Sequence, residues 1–328
     1  VNRETFGNYD FIEANDKYNR VVGLDYNLAS SNNRWIGKFY THKSFKPNDK
    51  KGNLSSFASI LYNTREWRLY SNTVFVDEDF RSDLGFIRRT GIIKTGNSIT
   101  RNFYPKKGKI NSHGFRFLHL SWLQQNLNYF KTDESFNFEY TLSTNNQNQL
   151  QLGLNNKFVF LFNSFDPSRT DGALELPSET DYNYNEWNLN YRLNFANPFI
   201  FNSELTYGGF FNGTKLSYTG TIGYRFQPKF IFTLQWDYNK IKLPKPYSSN
   251  DIVLIRPKFD FTFTKNIFWS TLIQYSNLTN NLGINSRLQW RFAPLSDLYL
   301  VYNDNYYTQE FGPVFRSINL KLTYWLNI

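Results

Sequence analysis

KLSYTGTIGYRF at residues 215–226 and FIFTLQWDYN at residues 230–239 decide the fold. In the first stretch Leu216, Tyr218, Ile222, Tyr224 and Phe226 share one face of an extended chain, and Lys215, Ser217, Thr219, Thr221 and Arg225 share the other. In the second, Phe230, Phe232, Leu234, Trp236 and Tyr238 oppose Thr233, Gln235, Asp237 and Asn239. Successive side chains of a strand point to opposite faces, so each stretch is apolar on one side and polar on the other. The pattern returns in strand after strand to Ile328. Segments of about ten such residues in series are the signature of a transmembrane β-barrel, apolar outside and wet inside.

The bulk composition agrees once half of every strand is assigned to water. Only 40% of residues are hydrophobic, and no run of about 18 apolar residues exists to form a membrane helix. Aromatic residues reach 20%, with 33 Phe and 23 Tyr, which suits girdles at two membrane interfaces better than ordinary globular usage. A soluble sandwich or propeller is the rival all-β reading, with its apolar face in a core and shorter strands. The absence of Cys excludes disulfides and thiol chemistry. The absence of Met means that Val1 is no initiator, so a processed or missing segment is expected upstream. A net charge of +10 is compatible with anionic headgroups, polyanions or acidic partners.

The alternation places strands near 18–29, 34–44, 53–62, 66–77, 93–104, 113–126, 134–143 and 147–162. A second series follows near 185–195, 199–209, 214–226, 229–240, 252–264, 267–276, 282–292, 297–304 and 315–328. Connections near 194–198, 226–229, 263–266 and 292–297 read as tight turns. Those at 209–213, 240–251, 276–281 and 304–314 read as longer loops. Short periplasmic turns and longer outer loops fix the orientation of such a barrel. With the last strand ending at the periplasm, counting back seventeen strands starts the segment at Tyr18 on the outside. One more strand is then expected upstream, with Val1–Thr5 as its end, giving eighteen strands in the complete barrel. Strands 53–62 and 93–104 alternate poorly, and sixteen is the alternative count. The loops at 77–92 and 165–184 either fold into the lumen, bind partners or stand solvated outside.

With the apolar rows facing lipid, Arg192, Lys215, Arg225, Asp237, Arg256, Lys258, Asp260, Arg287, Arg291 and Lys321 point into the lumen, together with Asp25, Glu139 and Glu204. They form either a salt-bridged or plugged wall or a filter for anionic solutes. Trp187, Tyr224, Trp236, Tyr238, Trp290 and Tyr324 fall on the apolar face, near strand ends, as an interfacial girdle. His119 and Ser121 share one face and read as a lumen-facing polar pair rather than a catalytic one, since no third member stands near in sequence. Asp77, Glu78, Asp79 and Asp83 crowd one loop without the spacing of an EF-hand. They read as a solvated acidic loop. No cofactor site is expected. Basic and aromatic residues lie on opposite strand faces, which argues against nucleic acid.

Several stretches are more specific than alternation: NRVVGLDYN at 19–27, DFRSDLGFIRRTG at 79–91, YGGFFNGT at 207–214 and LIQYSN at 272–277. To these add NLGINSRLQWRFAPLSDLYLVYND at 281–304 and INLKLTYWLN at 318–327. Together they resemble the C-terminal barrel domain of a Bacteroidota outer-membrane protein family of unknown function. Its members typically carry a carbohydrate-binding-family-nine-like domain ahead of the barrel. The resemblance implies that residues 1–328 are one outer-membrane barrel domain of a longer protein, preceded by a periplasmic domain, and it supplies no catalytic residues. The expected role is a non-enzymatic membrane anchor and binding or structural subunit of an envelope complex. Its partners would be outer-membrane lipid, lipopolysaccharide and other envelope proteins. A channel for small anionic or glycan-derived solutes is the alternative, and a barrel-embedded hydrolase a third reading.

Overall fold

In a computed structural model of the chain, residues 2–4, 16–48, 52–309 and 311–326 are described. They form a single sheet of 18 strands. The first nine are β1 (Asn2–Glu4), β2 (Tyr18–Ala29), β3 (Trp35–Phe45), β4 (Leu54–Asn63), β5 (Trp67–Val76), β6 (Ile92–Phe103), β7 (Ile110–Gln124), β8 (Phe130–Thr144) and β9 (Gln149–Leu161). The rest are β10 (Thr180–Arg192), β11 (Phe199–Phe210), β12 (Gly213–Phe226), β13 (Phe230–Lys242), β14 (Asn250–Thr264), β15 (Ile267–Ser276), β16 (Asn281–Ala293), β17 (Ser296–Tyr307) and β18 (Pro313–Thr323). Each strand pairs antiparallel with the next along the chain. Among the described residues no ladder joins β18 to β1 or β2. The strand count is the eighteen of the parity argument, not sixteen. Val1 and Thr5 of the expected first strand, and Asn327 and Ile328 of the last, lie outside the described residues.

Among the described residues no helix is long and apolar enough to cross a membrane, a fact that leaves crossing by strands untouched. The connections sort to two ends of the sheet. At the turn end they are short and locally satisfied: the Thr264 hydroxyl accepts from the backbone N–H of Asn266 and Ile267, closing the β14–β15 turn. At the loop end lie the two longest connections, residues 77–91 and 162–179. One expected loop is not one: only Phe211 and Asn212 separate β11 from β12.

Register turns the alternation into two continuous faces. Trp187 pairs with Tyr207, Leu205 with Tyr218, Tyr224 with Phe232, Trp236 with Ile255 and Leu300 with Leu320, so the apolar rows of successive strands join into one surface. On that surface Leu24, Trp187 and Leu320 are 78%, 64% and 70% exposed. Among the described residues the buried apolar ones, by contrast, are few: Val76, Phe80, Ile92, Leu176, Ile241 and Leu243, all at the loop end. A soluble domain does the reverse, since each large apolar side chain left in water forfeits about 1.5–3 kcal/mol. The distribution fits an outer-membrane barrel, whose outer solvent is lipid.

The polar face is the concave one. Tyr40 of β3 and Asp133 of β8 line one cavity, although a flat sheet would set those strands about 24 Å apart at 4.8 Å per step. The convex apolar face is closely fitted in places. At Gly220 an added Cβ would come to 2.4 Å from the Trp236 indole, so the ring covers a position where only glycine leaves room.

If the convex face meets lipid, Leu189→Arg will destabilise the refolded protein by about 2–4 kcal/mol. Its neighbour Asn190→Arg, on the polar face, will stay within about 0.5 kcal/mol of wild type. Urea titration of tryptophan fluorescence in lipid vesicles measures both.

Candidate functional site

Both long loops fold over the concave polar face at its loop end. In residues 77–91, Phe80 and Ile87 pack with Val76 and Ile92 of the adjoining strands and with Val21, Val74 and Trp122, all of which project from the polar face. Polar ties fix the rest. The Asp77 carboxylate accepts from the Leu54 N–H at 3.0 Å and from the Gln125 amide at 3.2 Å. Arg81 donates to Asp83 and Asp16, each at 2.6 Å, and Arg3 of β1 donates to Asp83 at 2.8 Å. Arg89 reaches Asp133 of β8 at 2.8 Å. The acidic loop is therefore solvated only in part, with Glu78 exposed. Its carboxylates Asp77, Asp79 and Asp83 are engaged by protein donors, and among the described residues no group of three His, Asp or Glu converges as a metal site.

Residues 162–179 make the second cover. Phe165 and Leu176 exchange backbone hydrogen bonds, at 3.1 and 2.8 Å, to form a narrow tongue. Within it the Asp166 carboxylate accepts from the N–H groups of Ser168 and Thr170 and from the Ser168 hydroxyl. Those bonds outweigh burial, which acts the other way, and hold Asp166 below the usual carboxylate range. The Asn250 amide of β14 donates to the Ser168 carbonyl and seats the tongue on the wall. Leu176 and Ser168 are fully buried.

Beneath this tongue lies a cavity of about 500 Å³. Phe165, Phe210, Ile241, Ile252, Leu254 and Leu278 supply apolar surface, and Arg169, Lys215, Ser217, Thr219, Asp237 and Asn239 supply polar groups. The Lys215 ammonium stands 4.9 Å from the Phe210 ring centre. Among the described residues no carboxylate forms an ion pair with Arg169 or Lys215, so the cavity holds two cations with spare capacity for an anion.

All thirteen charged residues read from the sequence lie on the polar face by register; ten of them pair with Gln149, Ile241, Ile231, Thr219, Gln235, Thr233, Ser270, Ser270, Asp297 and Tyr299 in the order Arg192, Lys215, Arg225, Asp237, Arg256, Lys258, Asp260, Arg287, Arg291, Lys321. Some are held there by ion pairs or backbone acceptors. Lys258 pairs with Asp260 at 2.8 Å, Arg291 with Asp297 at 3.4 Å, and Arg225 donates to the carbonyls of Phe195 and Asn197. Arg256, Arg287 and Lys321 have no such partner among the described residues, and the buried Arg256 Nε makes no hydrogen bond.

The aromatic set lies on the apolar side, but not all of it at strand ends. Tyr224 and Trp290 sit near the turn end. Tyr324 stacks on Phe292 there, and Tyr238 donates to Asp251 near the loop end. Trp236 is mid-strand in β13, with a buried indole N–H that finds no acceptor, so it belongs to the apolar band rather than its edge. Trp187 is also mid-strand, because the apolar row of β10 stops early and gives way to Asn185 and Asn183.

That early stop marks a band the alternation did not reveal. Register joins Ser71, Asn97 and His119, then Phe136, Asn156 and Asn185, in one row across the outward face. His119 and Ser121 thus face outward beside Phe117, not into the lumen as the sequence suggested. The band arises from a run of polar residues at the apolar parity in the loop-end halves of β5–β10, visible in sequence only when strand register is known.

Compared with known proteins, the chain matches no family and no curated sequence.

The tie from Arg3 and Arg81 to Asp83 makes the first loop acid-sensitive. Burial alone would raise the Asp83 carboxyl, but these guanidinium bonds hold it below its ordinary value, while Asp16 and Asp83 raise Arg81. A depressed carboxyl stabilises the fold above its unfolded value and loses that contribution as pH falls through the folded value. A spin label at Phe86→Cys will therefore keep constant mobility from pH 7 down to about 4, the ordinary carboxylate value, and loosen only below it. In Asp83→Asn it will be mobile at pH 7.

Proposed function

We propose that the chain is an outer-membrane β-barrel that anchors through its convex apolar face and binds a ligand or envelope partner at its outer mouth. As the sequence resemblance implies, we place it with the Bacteroidota barrels of that type. The observation that carries this reading is the tongue of residues 162–179, seated on the polar wall over a cavity containing Arg169 and Lys215. A barrel of about 18 strands is wide enough for an aqueous pore. Two ordered covers on its concave face suit retention of a bound group better than free passage. The ligand favoured by the cavity is an organic anion with an apolar body: cations for the acid, rings and aliphatic side chains for the rest.

A channel for small anions is the second reading, favoured by the unpaired Arg256, Arg287 and Lys321 on the same wall. Planar-bilayer conductance separates the two. On the binding reading the wild-type protein conducts poorly, removal of residues 168–175 raises conductance several-fold, and Lys215→Gln weakens retention of an aromatic carboxylate about tenfold, the value of one charge-assisted bond of about 1.4 kcal/mol. On the channel reading the intact protein conducts at once, and Arg256→Gln with Arg287→Gln abolishes its anion preference.

A further inference from the structure

We propose that the outward face of β7 and β8 carries a serine esterase site for acyl esters of membrane lipid, built from Ser121, His119 and Glu134 beside an acyl-chain groove. It stands apart from the tongue-covered cavity and rests only on the apolar face meeting lipid.

Three side chains that sequence keeps apart are brought together by register. Ser121 of β7 is directly opposite Glu134 of β8, and His119, two residues before Ser121, is opposite Phe136. All project from the outward face. The His119 imidazole lies on the Phe136 ring, with centroids 4.5 Å apart and planes at 16°, and its Nε2 is 3.2 Å from Glu134 Oε1. The ring plane and one nitrogen are thereby fixed. With Glu134 accepting the Nε2 proton, the neutral imidazole presents a lone pair at Nδ1. Among the described residues His119 makes no other hydrogen bond. Same-face neighbours on a strand stand about 7 Å apart at Cβ, so the Ser121 hydroxyl meets Nδ1 only when the Ser121 side chain leans toward the held ring, as catalytic bonds commonly tighten with substrate bound.

The second, independent observation is a groove on the same outward face. Phe138 and Tyr140 form one side, Leu152 and Leu154 the floor, and Trp187 and Tyr207 the other side, enclosing about 440 Å³. Phe138 is the next outward residue after Phe136, so the groove begins about 7 Å from the His119 ring support. Its surface is apolar and it opens to the membrane. The occupant that fits is an acyl chain. The polar row through Asn97, His119, Asn156 and Asn185 begins where the groove ends. An acyl chain lying in the groove therefore brings its ester, which joins apolar tail to polar headgroup, to the His119 level, one outward position short of Ser121.

The chemistry balances with water as the only co-reactant. Ser121 Oγ attacks the ester carbonyl carbon while His119 Nδ1 takes the hydroxyl proton. The carbon–oxygen bond to the alcohol breaks, and the alkoxide leaves with the proton from the imidazolium. Water then attacks the acyl-serine with His119 again as base, releasing the fatty acid and restoring Ser121. Glu134 is a positioning residue that orients the ring and stabilises its charged form.

The test uses the full chain purified in phospholipid–detergent micelles, with folding verified by heat-modifiable gel migration. A fluorophosphonate probe is expected to label Ser121, and a phospholipid with a fluorescent acyl chain to be hydrolysed. Ser121→Ala and His119→Ala abolish both. His119 faces Glu134 of β8 and the neutral Asn97 of β6, and Glu134 also pairs with Lys131 at 2.6 Å. Glu134→Gln leaves the ring without its carboxylate acceptor and lowers kcat, whereas Glu134→Asp, which keeps a carboxylate, restores most of the rate. Leu154→Trp fills the groove and reduces hydrolysis of long-chain but not short-chain esters. An unlabelled wild-type protein, or hydrolysis that survives Ser121→Ala, overturns the proposal. Equal loss for both chain lengths in Leu154→Trp overturns the groove assignment.

Discussion

In hydrocarbon a backbone N–H or C=O has no water to turn to, and each one left unpaired costs several kcal/mol. Between its two edges the strand-to-strand ladder from β1 to β18 satisfies that demand locally, because each strand finds its partner in the next segment of chain. Everything else follows from the side-chain period of a strand. Once the ladder exists, alternate residues must face opposite solvents, and a slip of one residue would carry every apolar row onto the polar wall. Leu24, Trp187 and Leu320 stand exposed because the ladder leaves them no interior to enter.

The apolar residues that do become buried belong to the loops. Val74, Val76, Ile92 and Trp122 interrupt the polar parity of β5, β6 and β7 to receive Phe80 and Ile87. Ile241 and Leu254 line the cavity beneath the tongue of residues 162–179. The barrel thus spends its concave surface near the loop end on holding its own covers. The polar groups left over, Arg169, Lys215 and Asp237, line what remains of the space.

These exceptions explain what the sequence made legible. Strong alternation in β11–β18 gave their number, their faces and most of their ends, since away from the tongue-covered cavity the two solvents alone select those residues. The stretch at 93–104 alternated poorly because Thr95 and Asn97 stand at the outward parity between Ile93 and Ile99, in the polar band that only register reveals. The engagement of Asp77 and Asp83 was likewise hidden, because their donors Gln125 and Arg3 are remote in sequence. The same limit applied to His119. Its neighbour Ser121 was evident from spacing, whereas Glu134 enters only through the β7–β8 register, and the outward direction of all three only through the row they share with Phe117 and Phe138.

The inversion of the two faces is the claim on which every functional reading stands. The chain has no Cys among its 328 residues, so a nitroxide can be placed singly along β13 in vesicles and its collision rates with oxygen and a water-soluble nickel chelate compared. The account predicts oxygen maxima at positions 232, 234, 236 and 238 and nickel maxima at 233, 235 and 237, out of phase by one residue. Collision rates without that alternation, or nickel access at 234 and 236, would contradict it.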